Sequence, residues 1–480
     1  GSLLDATAAE AGVSPANLAT SDRHRPPLQP QVIDNRRLEL ASPDSFGNML
    51  PRRMHATTFE QTRSPLSIRL LNKCGVWLEK VDIPRTPFLP ADLIETAQRR
   101  CRLDDFGSGD FFEALSRLLE SCHRDARLNL IGKIALRSDV ARTLRNRLLM
   151  ERDRQLYPEI ARQEIREPLF IVGLPRSGTT LLHTLIAADP EHRAPLTWEV
   201  MSPSPPTSEN EGQRIRHAER SLASLQWLAP TFRRVHAVGA ELPQECVGLM
   251  SPTFMSDQFD TMYNVPSYRA WFLKQDLLPA YEYHRRFLQH LQQRQNARRW
   301  VLKAPVHMFA LPSLLSIYPD ARFVQAHREP LQAITSVSSL IAILRGVFSD
   351  AVDPGQIARD ALQYWSETLA LFMQERDRLP PERIFDLDYR EIRRDPIAAI
   401  RSVYEYFGWC LSREAEQRMR TALANQPREQ NGFHHYEPSQ FGLEADEVDA
   451  RFSAYCERFG LSAQHVSRAA TIPLENSVHR

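Results

Sequence analysis

The sequence has no excess of charge of either sign and no long apolar run. Its 480 residues include 60 Lys and Arg against 59 Asp and Glu, which leaves a net charge of +1 at pH 7. This balance argues against nucleic acid as a partner, because proteins bind phosphate backbones through clustered positive charge. Apolar runs stay below the ~18 residues of a membrane-spanning helix, so we expect no transmembrane segment. Any anion-binding site must therefore be built locally.

Cysteine is sparse and scattered. The six cysteines lie far apart, with no Cys-x-x-Cys pair and no spacing typical of zinc ligands. This pattern predicts reduced thiols in a reducing compartment. The first residues also lack the basic start and apolar core of a signal peptide, so we expect none. Together these absences predict a cytoplasmic protein.

The most informative stretch is residues 170–182, which read Phe-Ile-Val-Gly-Leu-Pro-Arg-Ser-Gly-Thr-Thr-Leu-Leu. The apolar run at 168–172 predicts a short buried strand, a Gly- and Pro-containing turn follows, and the leucines from residue 181 have helical spacing. A strand, a glycine loop and a helix N-terminus are typical of phosphate-binding α/β proteins, in which backbone N–H groups and the helix dipole face the anion. The stretch therefore predicts a phosphate loop.

The loop lacks the lysine of a nucleotide-hydrolysing P-loop. Its spacing, Gly173-x4-Gly178-Thr179-Thr180, differs from a Walker A loop by one residue, because a Walker loop has Lys where Thr179 stands. This absence argues against a kinase or an ATPase. The cation of the loop is then Arg176.

Four further strands are predicted downstream. One is a short strand that starts near residue 193, and the others cover residues 299–302, 321–326 and 383–389. The last three each lead into a helical pattern, at 308–317, 331–345 and 397–407. This repeat predicts an α/β fold, with a P-loop-like parallel sheet of about four to five strands flanked by helices.

The N-terminal part of the chain has a different pattern. Residues 1–90 predict an irregular arm with one amphipathic helix at 67–81, and residues 91–165 predict a helical cap. In the cap, Ser108 is a predicted N-cap, and a stripe of Val140, Leu144 and Leu148 marks the buried face of an Arg-rich helix whose charges we expect to face solvent. Residues 166–480 then form the predicted α/β domain.

Three predicted strands release basic residues at their carboxyl ends. They end, in order, at the Arg176 loop, at Lys303 and at His327-Arg328. Open parallel sheets bind ligands at this edge. Ser336 follows Arg328 by eight residues, so a guanidinium fork and a hydroxyl could hold one phosphate together. This combination predicts a crevice for a nucleotide with several anionic groups.

These motifs resemble those of sulfotransferases that use 3′-phosphoadenosine 5′-phosphosulfate (PAPS). The loop Pro-Arg-Ser-Gly-Thr-Thr-Leu-Leu resembles their 5′-phosphosulfate loop, and the pair Arg328 and Ser336 resembles their 3′-phosphate site. Five other segments are similar to a bacterial branch of this family, so the resemblance covers residues 91–460: 104–107, 196–199, 241–245, 300–307 and 434–442.

The chain departs from the cytosolic members of the family at two places. Those enzymes have Lys in the phosphosulfate loop, where Arg176 stands here, and a Lys-Gly-x-x-Gly segment near the C-terminus that is absent here. Residues 431–436 are the candidate replacement for that segment.

The resemblance implies transfer of a sulfuryl group from PAPS to a hydroxyl, or an amine, of a small or lipid-like acceptor, with 3′-phosphoadenosine 5′-phosphate (PAP) as product. The implied donor-binding residues are Arg176, Ser177, Gly178, Thr179, Thr180, Arg328 and Ser336. In-line transfer of this kind depends on positioning and charge stabilisation. We therefore expect Arg176 and the amides near Gly178 to hold the phosphosulfate, and Lys303 to stabilise the leaving oxygen. No paired-carboxylate magnesium site is visible, which predicts a metal-independent reaction.

The general base stays open at this point. Glu199 lies downstream of the loop, where sulfotransferases outside the cytosolic group have a glutamate base, although a helix-capping role explains it equally well. His307 is the competing candidate, because the cytosolic enzymes use histidine and imidazole titrates near neutral pH. Glu241 and Glu245 are lower-ranked candidates on the acceptor side. His327 is expected to be structural or a phosphate donor, and His183 a packing residue.

Two other function classes remain: a P-loop phosphotransferase that uses ATP and Mg²⁺, and a non-catalytic nucleotide-binding scaffold. The aromatic stretch at 250–272 favours an apolar acceptor such as a lipid, a steroid or a phenol, but core packing explains it as well. A homo-oligomer is also open.

Overall fold

Five short parallel strands form the centre of the fold. In the computed structural model, which describes residues 72, 88–228, 238–295, 298–425 and 437–461, the strands are β1 (Leu169–Gly173), β2 (His192–Arg193), β3 (Arg299–Lys303), β4 (Arg322–His327) and β5 (Ile384–Asp388). Their order in the sheet is β2-β3-β1-β4-β5. Every pair is parallel. The predicted α/β class and strand number are confirmed.

Helices connect and cover these strands. In chain order they are α1 (Pro90–Cys101), α2 (Phe111–Arg124), α3 (Leu130–Leu156), α4 (Thr179–Ile186), α5 (Thr197–Met201), α6 (Glu211–Leu228), α7 (Cys246–Met250), α8 (Gln258–Met262), α9 (Pro266–Phe272), α10 (Leu278–Gln292), α11 (Leu311–Ile317), α12 (Pro330–Phe348), α13 (Pro354–Arg376), α14 (Tyr389–Arg394), α15 (Pro396–Tyr406), α16 (Arg413–Asn425) and α17 (Ala445–Phe459). The predicted arm at 1–90, apart from Asn72 and residues 88–90, lies outside the described residues together with its helix at 67–81, and so does the segment 431–436.

Apolar side chains project from both faces of the sheet and pack against helices on each side. The fold therefore has three layers, with the sheet between two layers of helices. Successive residues of a strand point to opposite faces. Leu169 and Ile171 of β1 accordingly belong to one core with α4 and α15. Phe170 and Val172 belong to a second, larger core with helices from the rest of the chain. A strand buried on both faces has the continuous apolar run by which β1 was predicted.

The helical segment ahead of the sheet belongs to that larger core. Val140, Leu144 and Leu148 of α3 are fully buried there, as the stripe predicted. One detail of the prediction was wrong. Helix α2 begins at Phe111 after Asp110, whose side chain makes no capping hydrogen bond, and Ser108 Oγ instead donates to the Asp110 carboxylate at 2.7 Å. The division of the chain at residues 90 and 165 stays a prediction.

The arginines of α3 do not all face solvent, which corrects a second expectation. Arg147 is buried. Its guanidinium donates to the carbonyl oxygens of Phe106 at 2.7 Å, Ser108 at 2.6 Å and Pro252 at 3.0 Å. A buried charge is tolerated when its donors are satisfied in this way. Arg147 therefore ties α3 to two loops that the sequence pattern does not connect.

Helix α12 is apolar and long enough to cross a membrane, the one helix of the described residues that passes this test. However, 72% of its apolar window is buried inside the protein. It therefore serves as a core helix, and its N-terminal half carries Ser336.

Candidate active site

The loop after β1 requires its glycines. Gly173 has a φ of 140°, and a Cβ on it would overlap the Ala326 carbonyl oxygen of the neighbouring strand. Gly178 has a φ of 87°, and a Cβ there would lie 3.2 Å from the ring of Tyr389. Only glycine adopts such backbone angles freely. Ser177 Oγ donates to the Leu174 carbonyl oxygen at 2.7 Å, which closes the loop on itself.

The two predicted phosphate motifs contact each other directly. Arg176 Nε donates to Ser336 Oγ at 3.3 Å, and Arg328 Nη1 donates to the Arg176 carbonyl oxygen at 2.5 Å. Arg176 has a φ of 70°, a conformation that is unfavourable for a side chain with a Cβ and that clusters at functional sites. Residues 152 to 160 positions apart in sequence thus share one crevice, because β1 and β4 are neighbours and both end there.

Lys303 brings a third cation to the same edge. It is the last residue of β3 and is buried. Its Nζ donates to Thr180 Oγ1 of the loop helix at 3.2 Å and forms an ion pair with the Glu245 carboxylate. The Glu245 side chain keeps 24% of its surface exposed. A buried ammonium group needs such a counter-charge, so Glu245 belongs to the site through Lys303.

Arg328 retains unused donor capacity. Its guanidinium lies 4.4 Å from the centre of the Tyr389 ring, and Nη2 donates to Gln332 Oε1 at 3.2 Å. Its Nε is buried and has no hydrogen-bond partner among the described residues. An unsatisfied buried donor is costly. A bound anion at this position would satisfy it.

Two histidines near the site are held by the fold. His327 is hydrogen-bonded through Nε2 to Asp386 Oδ1 at 2.8 Å and through Nδ1 to the Tyr455 hydroxyl at 3.1 Å. Burial would raise the pKa of Asp386, but hydrogen bonds from His327 and Arg376 outweigh it and lower that pKa to about 2. His183 is buried and contacts the Val301 carbonyl oxygen at 3.1 Å. Burial and the charge of Lys303 lower the pKa of His183 to about 3.

Glu199 is held by ion pairs at the edge of the sheet. It is 1% exposed. Its Oε1 accepts from Arg193 at 2.6 Å and from Arg294 at 2.8 Å, and its Oε2 accepts from the Leu196 N–H at 2.9 Å. Through the contact with Leu196, Glu199 caps the N-terminus of α5. Both carboxylate oxygens of Glu199 are therefore occupied by contacts within the protein.

His307 lies in the core beneath the sheet. It is fully buried, its Nδ1 is 2.8 Å from the Tyr281 hydroxyl, and its ring meets Phe170 edge-on at 4.8 Å. Burial holds the pKa of His307 well below its usual range, with a smaller effect from His284. Its ring is therefore neutral at physiological pH. The assignments of Glu199 and His307 as base stay predictions.

Two residues of this crevice, Glu245 and Tyr389, are not indicated clearly by the sequence motifs. Glu245 was a lower-ranked candidate, and its contact with Lys303 depends on a loop that returns to β3 from 58 residues upstream. Tyr389 is the last residue of the predicted strand at 383–389, but in the structure it directly follows β5 and so lies at the carboxyl edge of the sheet. Among the described residues, no group of three or more His, Cys, Asp or Glu side chains is placed to hold a metal ion.

The fold defines an α/β protein with a P-loop-like turn after β1, in which Thr179 stands where a Walker loop has lysine and Arg176 is the cation of the loop. Residues 168–413 match the Sulfotransferase family. This match covers half of the chain, so the chain belongs to that family, as the resemblance predicted.

Solved structures and curated sequences agree with this assignment. The chain is similar to sulfotransferase STF1 from Mycobacterium tuberculosis H37Rv, with a TM-score of 0.68 and 32% identity over 77% of this chain and all of that one. It is also similar to STF9 from Mycobacterium avium, with a TM-score of 0.68 and 27% identity over 79% of this chain and 98% of that one.

The curated relatives it matches are the omega-hydroxy-beta-dihydromenaquinone-9 sulfotransferases Stf3 of Mycobacterium tuberculosis and Mycobacterium bovis, at 26% identity over 259 residues. The match covers 50% of this chain and 62% of their length.

Proposed function

We propose that this protein transfers a sulfuryl group from PAPS to the hydroxyl of a lipid-like acceptor. The observation that carries the proposal is the meeting of Arg176, Arg328 and Ser336 beside a glycine loop. With Lys303 on the neighbouring strand end, the crevice concentrates positive charge and anion donors at one edge of the sheet. A donor with two separated anionic groups suits that distribution.

The residues present fit the donor. Arg176 and the backbone amides of Gly178 and Thr179 would hold the phosphosulfate, with Ser177 shaping the loop and Thr180 reaching the adjoining 5′-phosphate. Arg328 and Ser336 would hold the 3′-phosphate, and the Nε of Arg328, which has no hydrogen-bond partner in the described part of the chain, supports this role. The absence of a Cβ at Gly178 leaves room for the backbone to approach an anion. PAPS supplies the activated sulfuryl group.

Lys303 and Glu245 are suited to the transfer step. The acceptor oxygen forms a bond to sulfur while the bond from sulfur to the 5′-phosphate oxygen breaks, and that oxygen keeps the electron pair. Lys303 would stabilise the negative charge there. We assign the acceptor proton to the Glu245 carboxylate, because it contacts Lys303 and is partly exposed. Glu199 and His307 are the alternatives to be tested against it.

The lipid-like acceptor rests on the relatives and on the aromatic stretch. The Stf3 proteins are named for a menaquinone derivative, and Phe272 of the stretch lines a cavity beside α12. The match covers 62% of the length of those proteins. The proposal therefore extends to a lipid-like class of acceptor and not to the menaquinone derivative itself.

Calorimetry with PAP and ATP tests the donor site. We expect wild-type protein to bind PAP at least tenfold more tightly than ATP, without Mg²⁺. Arg328→Ala should weaken PAP binding about tenfold to hundredfold, because a charged hydrogen bond contributes about 1.5–3 kcal/mol. Arg390→Ala is the matched control, since that arginine is exposed and pairs with Asp388 at the same sheet edge. Equal binding of PAP by Arg328→Ala and the wild type, or a preference for ATP, would contradict the proposal.

A further inference from the structure

A small cavity lies between α8, α9, α12 and α13. Its volume is about 60 Å³. Apolar and aromatic side chains form much of its wall, and an aspartate lies among them: Asp257, Phe272, Val337, Ile341, Tyr364 and Trp365. Val337 directly follows Ser336 of the proposed phosphate site on the same helix. One residue of the cavity wall and one residue of the proposed donor site are therefore neighbours on α12.

The volume limits what the cavity can admit. About 10–15 Å³ suffices for one water molecule, whereas sites that enclose a whole drug-sized ligand measure about 300–1,000 Å³. A cavity of about 60 Å³ accommodates a few non-hydrogen atoms. It suits the end of a slender molecule and excludes a fused ring system.

Most charged groups of the cavity wall are already paired. Asp260 contacts Arg345 at 3.1 Å and Arg269 at 3.7 Å, and Arg269 lies 3.8 Å from Asp360. These contacts compensate the charges within the protein. A ligand therefore has little to gain from them.

Asp257 is different. It precedes α8 at the position where aspartate commonly caps a helix, but its side chain makes no capping hydrogen bond. Its Oδ1 is sealed from solvent and has no hydrogen-bond partner among the residues that the structure describes. A buried polar atom of this kind costs stability unless a ligand satisfies it.

The electrostatics connect Asp257 to the proposed base. Burial raises the pKa of Asp257 to about 7, with further contributions from the negative charges of Glu245 and Asp260. The backbone brings the two segments together, because Ser256 Oγ, next to Asp257, donates to the Val247 carbonyl oxygen at 2.9 Å, two residues from Glu245. A hydroxyl bound at Asp257 would lie on the Glu245 side of the crevice.

We propose that this cavity receives the hydroxyl-bearing end of the acceptor, and that the acceptor is a primary alcohol on a slender apolar chain. The inference rests on the proposed sulfuryl transfer. Asp257 hydrogen-bonds the acceptor hydroxyl, and the aliphatic and aromatic wall contacts the first carbons of the chain. Asp257 is a binding residue here, and Glu245 takes the proton.

Sulfate transfer to 1-decanol and to cholesterol, with PAPS as donor, tests the inference. We expect the kcat/KM of the wild type for 1-decanol to exceed that for cholesterol at least tenfold. Ile341→Trp narrows the cavity and should lower kcat/KM for 1-decanol at least tenfold, with an unchanged KM for PAPS. Leu371→Trp is the matched control, because Leu371 lies on α13 and is 41% exposed; it should behave as the wild type.

Asp257→Asn provides a second variant that keeps the side-chain volume. It should raise the KM for 1-decanol at least fivefold and leave PAP affinity, measured by calorimetry, unchanged. If the wild type binds PAP but transfers sulfate to neither alcohol, or prefers cholesterol, the inference is overturned while the donor site stands. Wild-type rates in both Ile341→Trp and Asp257→Asn would also overturn it. Loss of PAP binding in the wild type would instead refute the proposed function itself.

Discussion

Lys303 and Glu245 form a partly buried ion pair at the point where three strands end. Isolated buried charges are unfavourable, and a pair of this kind is stable only while both partners remain. In the proposed reaction, an anionic donor would share the Lys303 ammonium group with Glu245, the proposed acceptor of the proton. One residue pair would then couple donor binding to activation of the acceptor.

Glu245→Gln and Glu199→Gln distinguish two candidate bases at the residue scale. Glu245→Gln should lower kcat about 10²- to 10⁴-fold, because it removes the proton acceptor, while PAP still binds. Glu199→Gln should chiefly lower stability, by about 3–5 kcal/mol, since it leaves Arg193 and Arg294 without their buried partner. Steady-state kinetics and urea unfolding of both variants provide the measurement.

His307→Gln completes that series. A wild-type kcat in Glu245→Gln, combined with a loss of kcat in a stably folded Glu199→Gln or His307→Gln, would move the base to that residue. The three variants share the same type of replacement side chain, so differences between them reflect position.

The sequence predicts the meeting of Arg176, Lys303 and Arg328 because each follows a strand, and parallel strands end at one edge. It does not predict the surroundings of Glu199. Arg294 reaches that carboxylate from the end of α10, 95 residues away in sequence, and side-chain partners at such distances leave no periodic signal. The same limit applies to Asp257, because the lack of a partner for its Oδ1 among the described residues depends on how four helices assemble.

The element that organises the site is the turn between β1 and α4. Helix α4 is only eight residues long. The direction of the backbone N–H groups at its N-terminus is therefore set mainly by the conformation of the loop. Gly173 allows β1 to lie close to β4 at the strand end, which brings Arg328 to the loop. The crevice therefore requires the close approach of the β1 and β4 backbones at Gly173.

Gly173→Ala should therefore destabilise the fold by more than about 1 kcal/mol, because the new Cβ overlaps a carbonyl oxygen and the backbone angle disfavours any side chain. Gly109→Ala is the matched control, because its added Cβ would meet no atom of the described residues within 4 Å beyond its own chain neighbours. We expect the control to unfold in urea within about 0.5 kcal/mol of the wild type. Equal midpoints for the two variants would show that the close approach of β1 and β4 is dispensable.

At the scale of the whole molecule, histidines are buried as neutral groups in several layers of the fold. Burial lowers the pKa to about 3 in His183 and His284 and to about 4 in His192 and His290, and it also holds the pKa of His307 well below its usual range. In the unfolded chain each has an ordinary pKa of about 6.5. Below that pH the unfolded state binds protons that the folded state does not accept.

Stability should therefore be complete above pH 6.5 and decrease as the pH falls towards about 4. Each such histidine contributes a slope of about 1.4 kcal/mol per pH unit in that window, so urea midpoints should fall steeply between pH 7 and pH 5. His284→Gln removes one such group and should reduce the slope of stability against pH by about 1.4 kcal/mol per pH unit. His217 is exposed, so His217→Gln should leave the slope unchanged. A midpoint independent of pH over this range would mean that the buried histidines become protonated without unfolding, and that the core admits charge more readily than its packing indicates.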